Sequence, residues 1–207
     1  AVMAAHPAGI VLPKVESADD ILFANNRLQA ANLHGEIGLW AMIESPLALI
    51  QLPSIAATAS NTRLRGLIVG TNDLAKDLRV NLTPGREALL TALSQTVYAA
   101  RAHGLDVLDG VYNAIDDTDG LHQECAQGRA LGFDGKTLIH PAQLATANTA
   151  FSPAPEAIAE AQAIVAAFGL PENEDAGVIN VNGKMTERLH LQEAQRLLDC
   201  VAALALR

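Results

Sequence analysis

The sequence predicts an α/β fold: right-handed βα units on a parallel sheet, followed by a helical extension. Three observations carry that expectation. Five short apolar runs recur, at Gly9–Leu12, Ile37–Ile43, Leu64–Val69, Asp106–Val111 and Gly135–Ile139. Their starts are spaced by about 27–29 residues, apart from one longer interval before the fourth. Segments of helical periodicity fill the gaps, and β and α elements alternating at this period make right-handed units on a parallel sheet.

Each element has a local reason. Ser17 opens S-A-D-D, a capping-box-like start to a helix through Ala31. After the second and third runs come Glu44 and Asp73, each where an apolar strand ends and a helix begins. For the next helix we expect Thr83 as N-cap and Pro84 at the first position. Its stripe is Leu89, Leu90, Leu93 and Val97, and Gly104 ends it. Another helix runs from about Asp119 to Leu131 and is closed by Gly132. Past the fifth run the pattern changes. Pro155–Phe168 is Ala-rich and helical, PENEDAG is a polar loop, and VINVNGKM is hairpin-like. The last helix has Leu189, Ala194, Leu197, Leu198, Val201 and Leu204 on its apolar side. The expected division is a catalytic α/β domain over residues 1–150 and a helical extension or lid over 151–207.

Composition removes several classes of function. The 207 residues are 50% hydrophobic but only 3% aromatic, so the core is aliphatic. The net charge is −9 with no basic cluster, which argues against nucleic acid as a partner. There is no basic amphipathic stretch for a membrane surface and no long apolar run to span one. Cys125 and Cys200 fall in different helices without a CxxC or a Cys–His cluster, which indicates thiols of a reducing cytoplasm. His103, His122 and His190 fall on helix ends or polar faces. His6 and His34 have no constellation around them.

The chemistry-bearing feature is the pair of carboxylates. Glu44 and Asp73 are 29 residues apart, about one strand, one helix and two loops. In a parallel barrel that spacing sets both at the C-terminal ends of adjacent strands, on the rim where catalytic residues collect. Two hard oxygen ligands there suit Mg²⁺ or Mn²⁺, which leave other positions for water and substrate. The competing reading is that each carboxylate serves the N-terminus of the helix after it. Five βα units do not close a barrel, and an open sheet would need a switch point, yet no GxGxxG follows a strand. We therefore expect further strands upstream of this chain.

The motifs PKVES, IESPLAL, GTNDLAKDL, DGVYNAIDD, GRALGFDGKTLIHPAQ and NGKM occur in that order. In this set the chain resembles the citrate lyase β-subunit-like enzymes of the HpcH/HpaI aldolase and malyl-CoA lyase superfamily. The resemblance implies a TIM (β/α)8 barrel, with the five runs as strands four to eight and a C-terminal helical lid. It implies Glu44 and Asp73 as the Mg²⁺ ligands, and backbone N–H groups of Gly70, Thr71 and Asn72 holding the carboxylate of a 2-oxo acid. Lys14 ends the first run and points at the same rim, as a substrate contact or as half of a structural ion pair. His140, in IHPAQ, is either a general base or a residue that shapes the turn and lines a coenzyme A cleft, and we favour the second. Asp109 sits on a strand as a candidate supporting residue. Relatives end in a lid motif whose Asp enters the neighbouring subunit's site as acid/base. Here Glu187 holds that position, one methylene longer, and could equally be an N-terminal charge on the last helix.

The activity implied is Mg²⁺-dependent carbon–carbon cleavage of a 3-hydroxyacyl-CoA of the malyl-CoA, citramalyl-CoA or citryl type. The products are an acyl-CoA and a 2-oxo acid, and the reverse condensation is equally implied. A homotrimer or hexamer is the family expectation. The alternatives are a 2-oxo acid aldolase on the same metal platform and a non-catalytic scaffold subunit of a lyase complex.

Overall fold

Glycines and one tryptophan set the spacing of the first three strands. The computed structural model describes residues 7–31 and 37–205, so His6 and His34 lie outside the described residues. It divides into two compact units, Ala1–Phe151 and Ser152–Arg207.

The first unit contains β1 (Gly9–Leu12), α1 (Ala18–Ala30), β2 (Gly38–Ile43), α2 (Pro46–Ile50), α3 (Leu52–Ala57), β3 (Leu64–Val69), α4 (Thr71–Leu78), α5 (Leu90–Ala102), β4 (Asp106–Asp109), α6 (Thr118–Leu131), β5 (Gly135–Lys136) and α7 (Leu144–Phe151). The five strands form one sheet in sequential order, every neighbouring pair parallel. In β2 the side chains alternate: Leu39, Ala41 and Ile43 are buried, and Trp40 and Met42 are half-buried. The buried set joins Leu67, Val69 and Val107 of the next strands and Ile21, Ile55, Leu74, Leu93 and Val97 of the helices in one core. Full burial of such a side chain is worth about 1.5–3 kcal/mol, so this layer carries the unit's stability.

Trp40 lies on the opposite face of the sheet. A Cβ at Gly66 of β3 would come within 2.3 Å of the indole, and one at Gly9 of β1 would come within 3.5 Å. The register shifts between Leu39 and Trp40: Leu39 pairs with Leu64 and Trp40 with Gly66. The extra residue, Arg65, bulges out, and so glycine rather than a side chain meets the ring.

Helix termini largely follow sequence. Asp20 accepts hydrogen bonds from the N–H and Oγ of Ser17. Gly132 and Gly104 have φ of +101° and +66°, the left-handed geometry that ends helices. One expectation fails. Thr83 does not cap α5: its Oγ1 donates to Glu87 Oε2 within a turn, and a 3₁₀ segment at Glu87–Leu89 leads into the helix at Leu90. Pro84 therefore sits in the turn before the helix, not at its first position. The long interval before the fourth strand is filled by two helices, α4 and α5, rather than one. The last two runs are also shorter as strands, ending at Asp109 and Lys136.

The second unit contains α8 (Pro155–Phe168), β6 (Val178–Val181), β7 (Lys184–Glu187) and α9 (Arg188–Ala205). β6 and β7 pair antiparallel across Asn182-Gly183, both at positive φ (51° and 81°). That is the Asn-Gly two-residue turn whose twist suits a hairpin. Lys184 pairs with Glu160 at 2.7 Å, and the Arg188 guanidinium stacks on Phe168. Among the described residues no helix is long and apolar enough to cross a membrane.

Candidate metal-binding active site

Glu44 follows the last residue of β2 and is buried, at 4% exposure. It does not cap α2: Ser45 does, its Oγ accepting from Ala48 N at 3.1 Å. Instead Glu44 Oε1 accepts from the backbone N–H of Lys14, 2.7 Å away. Lys14 stands at the end of β1 with φ of 55°, a left-handed conformation that is uncommon for a side-chain-bearing residue. Its ammonium hydrogen-bonds Asp73 Oδ2 and lies 3.9 Å from Glu44 Oε1. One cation thus already sits between the two carboxylates. Asp73, in the first turn of α4, is half-exposed. The Lys14 hydrogen bond, reinforced by its charge, holds the Asp73 carboxyl below the usual range. The same bond raises Lys14.

The third part is the N-terminus of α4. Gly70 is its N-cap, and Thr71 and Asn72 begin the helix. A Cβ on Gly70 would fall 2.4 Å from Glu44 Cβ and 2.6 Å from Oε2, so only glycine lets β3 end against this carboxylate. Thr71 is 2% exposed, and its Oγ1 is the one buried side-chain polar atom without a hydrogen-bond partner among the described residues. These groups line a cavity of about 290 Å³ walled by Met42, Val69, Val111 and Thr137. Asn72 and Asn113 exchange two amide hydrogen bonds, of 3.0 and 2.7 Å, and so tie the start of α4 to the loop after β4.

Lys14, Glu44, Gly70, Thr71, Asn72 and Asp73 therefore converge. His140 behaves differently. It is exposed and caps a 3₁₀ turn, its Nδ1 accepting from Ala142 N at 3.2 Å. Glu187 ends β7 in the second unit, and its N–H donates to His190 Nδ1 at 2.9 Å. Sequence reasoning singled out Asp109 as a supporting residue but missed the buried charge cluster it belongs to. Asp109 and Lys136 are fully enclosed, 3.2 Å apart, with Arg86 2.7 Å from Asp109 and Glu124 2.6 Å from Lys136. A lysine inside the short apolar run Gly135–Ile139 was the available signal.

No group of three or more His, Cys, Asp or Glu side chains suited to a metal occurs among the described residues. Two carboxylates around one ammonium do fit Mg²⁺, which typically takes one or two carboxylates and fills its octahedron with water and substrate oxygens. The unpartnered Thr71 hydroxyl and the N–H groups at the start of α4 fit an anion beside it.

A parallel-sheet rim carrying a carboxylate pair beside a helix N-terminus is the geometry of an α/β protein with a polar site at the C-terminal ends of its strands. Residues 1–141 match the family HpcH/HpaI aldolase/citrate lyase, and the chain belongs to it. Its five parallel strands in sequential order, with helices between them, are the arrangement of consecutive βα units. The chain is 47% identical over 196 residues to a (3S)-malyl-CoA thioesterase of Cereibacter sphaeroides, covering 95% of this chain and 66% of that protein. It is 33% identical over 193 residues to citrate lyase subunit beta of Haemophilus influenzae, covering 91% and 66%. The CitE protein of Mycobacterium tuberculosis, in complex with magnesium, acetoacetate and coenzyme A, superimposes with a TM-score of 0.70 at 26% identity, over 93% of this chain and 67% of that one. The chain spans about two thirds of the length of the curated relatives it matches.

Proposed function

We propose that this chain carries the metal site of a Mg²⁺-dependent carbon–carbon lyase acting on a 3-hydroxyacyl-CoA with a terminal carboxylate, malyl-CoA being the representative substrate. Mn²⁺ would be an acceptable substitute. The observation that carries the reading is the convergence of Glu44 and Asp73 on one cation, beside the N-terminus of α4. The relatives named for malyl-CoA and citrate lyase, and the CitE complex with magnesium and coenzyme A, support it.

Glu44 and Asp73 hold the metal, which when bound supplies Lewis acidity toward the oxygen where negative charge grows. The N–H groups of Thr71 and Asn72 bind the substrate carboxylate, while Gly70, whose own N–H is committed to Ile43 O at 3.0 Å, leaves room for it. Lys14, whose ammonium lies between the two carboxylates, would be a second positive contact for substrate. The 3-hydroxyl gives its proton to the acid/base group, and the bond between the hydroxyl-bearing carbon and the carbon next to the thioester breaks. That leaves a 2-oxo acid and a thioester enolate, and the enolate takes up a proton. Glu187 supplies the acid/base group for that proton. In this reading it acts in a homotrimer or hexamer, reaching a neighbouring subunit's site. His140 lines the coenzyme A cleft through its turn. The enzyme is cytoplasmic.

A second reading, hydrolysis of the thioester, is favoured by the 47% identity to a malyl-CoA thioesterase. Product analysis separates the two. With malyl-CoA and Mg²⁺, the lyase releases glyoxylate and acetyl-CoA, whereas the hydrolase releases malate and free coenzyme A. Turnover should stop with a chelator and in Glu44→Gln. Chelator-resistant turnover, or turnover of a simple 2-oxo acid aldol without coenzyme A, would overturn the proposal.

A further inference from the structure

We infer that the buried tetrad Arg86–Asp109–Lys136–Glu124 is a positioning device for the Thr71 hydroxyl, acting through the backbone of Gly110. It rests on the functional reading above in one respect, that the cavity beside Thr71 receives a carboxylate.

The tetrad is charge-balanced, two cations against two anions, and joins four elements. Arg86 comes from the turn before α5, Asp109 from the end of β4, Glu124 from α6 and Lys136 from β5. Arg86 Nη1 donates to both oxygens of Asp109, at 2.7 and 2.9 Å. Burying four charges is costly unless each is paired and hydrogen-bonded, and such a cluster is poor evidence for stability as such. Its other bonds show what it holds. Asp109 Oδ1 accepts from Gly110 N at 2.7 Å, and Lys136 Nζ donates to Gly110 O at 2.5 Å. Both polar groups of one glycine are thus fixed by the tetrad.

That glycine presses on Thr71. A Cβ at Gly110 would fall 2.5 Å from both Thr71 Oγ1 and Cγ2, and 2.9 Å from the carbonyl oxygen of Val69. Gly110 therefore forms the wall that fixes the Thr71 side chain. The hydroxyl it confines is the buried oxygen without a partner, and Thr71 lines both the 290 Å³ cavity and a second one of about 260 Å³. A buried hydroxyl left unpaired by the protein is costly unless a ligand completes it. The tetrad holds it in readiness.

Lys136→Met/Glu124→Gln removes the donor to Gly110 O together with its partner charge, leaving Arg86–Asp109 paired. Gly110→Ala displaces Thr71 without touching the charges. Two readouts apply: pyruvate titration by calorimetry at saturating Mg²⁺, and the nuclear Overhauser contact between the Thr71 methyl and Gly110 Hα in the ligand-free protein. In both variants we expect pyruvate affinity to fall at least tenfold while Mg²⁺ affinity without pyruvate stays within twofold. In the double variant the Overhauser contact should be lost. A folded double variant that keeps the contact and the parent's pyruvate affinity overturns the inference, as does a folded Gly110→Ala that binds pyruvate normally. If the parent binds no pyruvate, the functional reading fails, and the Overhauser contact alone decides the positioning role.

Discussion

Gly70→Ala tests the site through sterics alone. The added Cβ would meet Glu44 Cβ at 2.4 Å and Oε2 at 2.6 Å. Oε2 could swing away, but Cβ is fixed to the backbone, so no rotamer change relieves the clash. The ends of β2 and β3 must part, although Gly70 N is bonded to Ile43 O at 3.0 Å. Overpacking of this kind costs roughly 1–3 kcal/mol. Weakening the 2.7 Å bond from Lys14 N to a buried carboxylate adds to it, since hydrogen bonds to charged groups contribute about 1.5–3 kcal/mol. With part of the strain relaxed, we expect a loss of about 2–4 kcal/mol, or roughly 4–16 °C in Tm for a chain of this size. Backbone conformation does not enter, because φ at Gly70 is −90°. Differential scanning calorimetry measures the stability, and titration with Mg²⁺ should show at least a tenfold weaker site. Gly177→Ala, with nothing within 4 Å of the new carbon, is the control and should leave both unchanged. A Gly70→Ala protein with the parent's Tm and Mg²⁺ affinity would refute the packing argument and the placement of Glu44.

Further outcomes follow from the same geometry. Asp73→Asn and Glu44→Gln should each abolish measurable Mg²⁺ binding in calorimetry while far-ultraviolet circular dichroism is retained; undiminished binding in both returns Asp73 to a helix-terminus charge. Lys14→Met should raise the Asp73 titration toward 3.8, seen by carboxyl NMR, because the bond that depresses it is gone. Since Asp73 is depressed, its stabilising contribution is present above its unfolded value and lost as pH falls through the folded one, and Lys14→Met should remove that acid limb. Tyr112 donates to Asp117 at 2.6 Å and is pushed up to about 12. Its contribution is complete below the ordinary phenol value of 10.0 and lost toward 12, so Tyr112→Phe should remove the step near 12 from an ultraviolet tyrosinate titration. Finally, inactive Glu187→Gln and Asp73→Asn protomers should recover partial activity when co-assembled. Full activity in Glu187→Gln alone, or none in verified mixed oligomers, would remove the acid/base role.

What was legible in the sequence was local or periodic. Strand–helix alternation, Ser17 with Asp20, the Asn-Gly hairpin and the terminating Gly104 and Gly132 are decided by neighbours a few residues away. Glu44 and Asp73 were legible because a fixed βα period carries two strand ends to one rim. Thr83 was misread because its hydroxyl has a competing local partner in Glu87, which closes a turn before the helix can begin. The tetrad was not legible, since Arg86, Asp109, Glu124 and Lys136 are brought together only when β4, β5, α6 and a turn pack. No periodicity encodes that meeting. Gly110 likewise looks like any glycine after a strand until Thr71 is seen against it.

The indole of Trp40 spans from a glycine on one neighbouring strand to a glycine on the other. A slip of one residue between β2 and β3 would bring Arg65 or Leu67 to the place of Gly66, and the ring would have no seat. The sheet thereby contains a key that fits one lock position, checking two strand pairings at once. Because this is the chain's single tryptophan, the key is also luminescent. Its emission reports whether three strands have met in step, which makes it a built-in clock hand for following the assembly of the sheet.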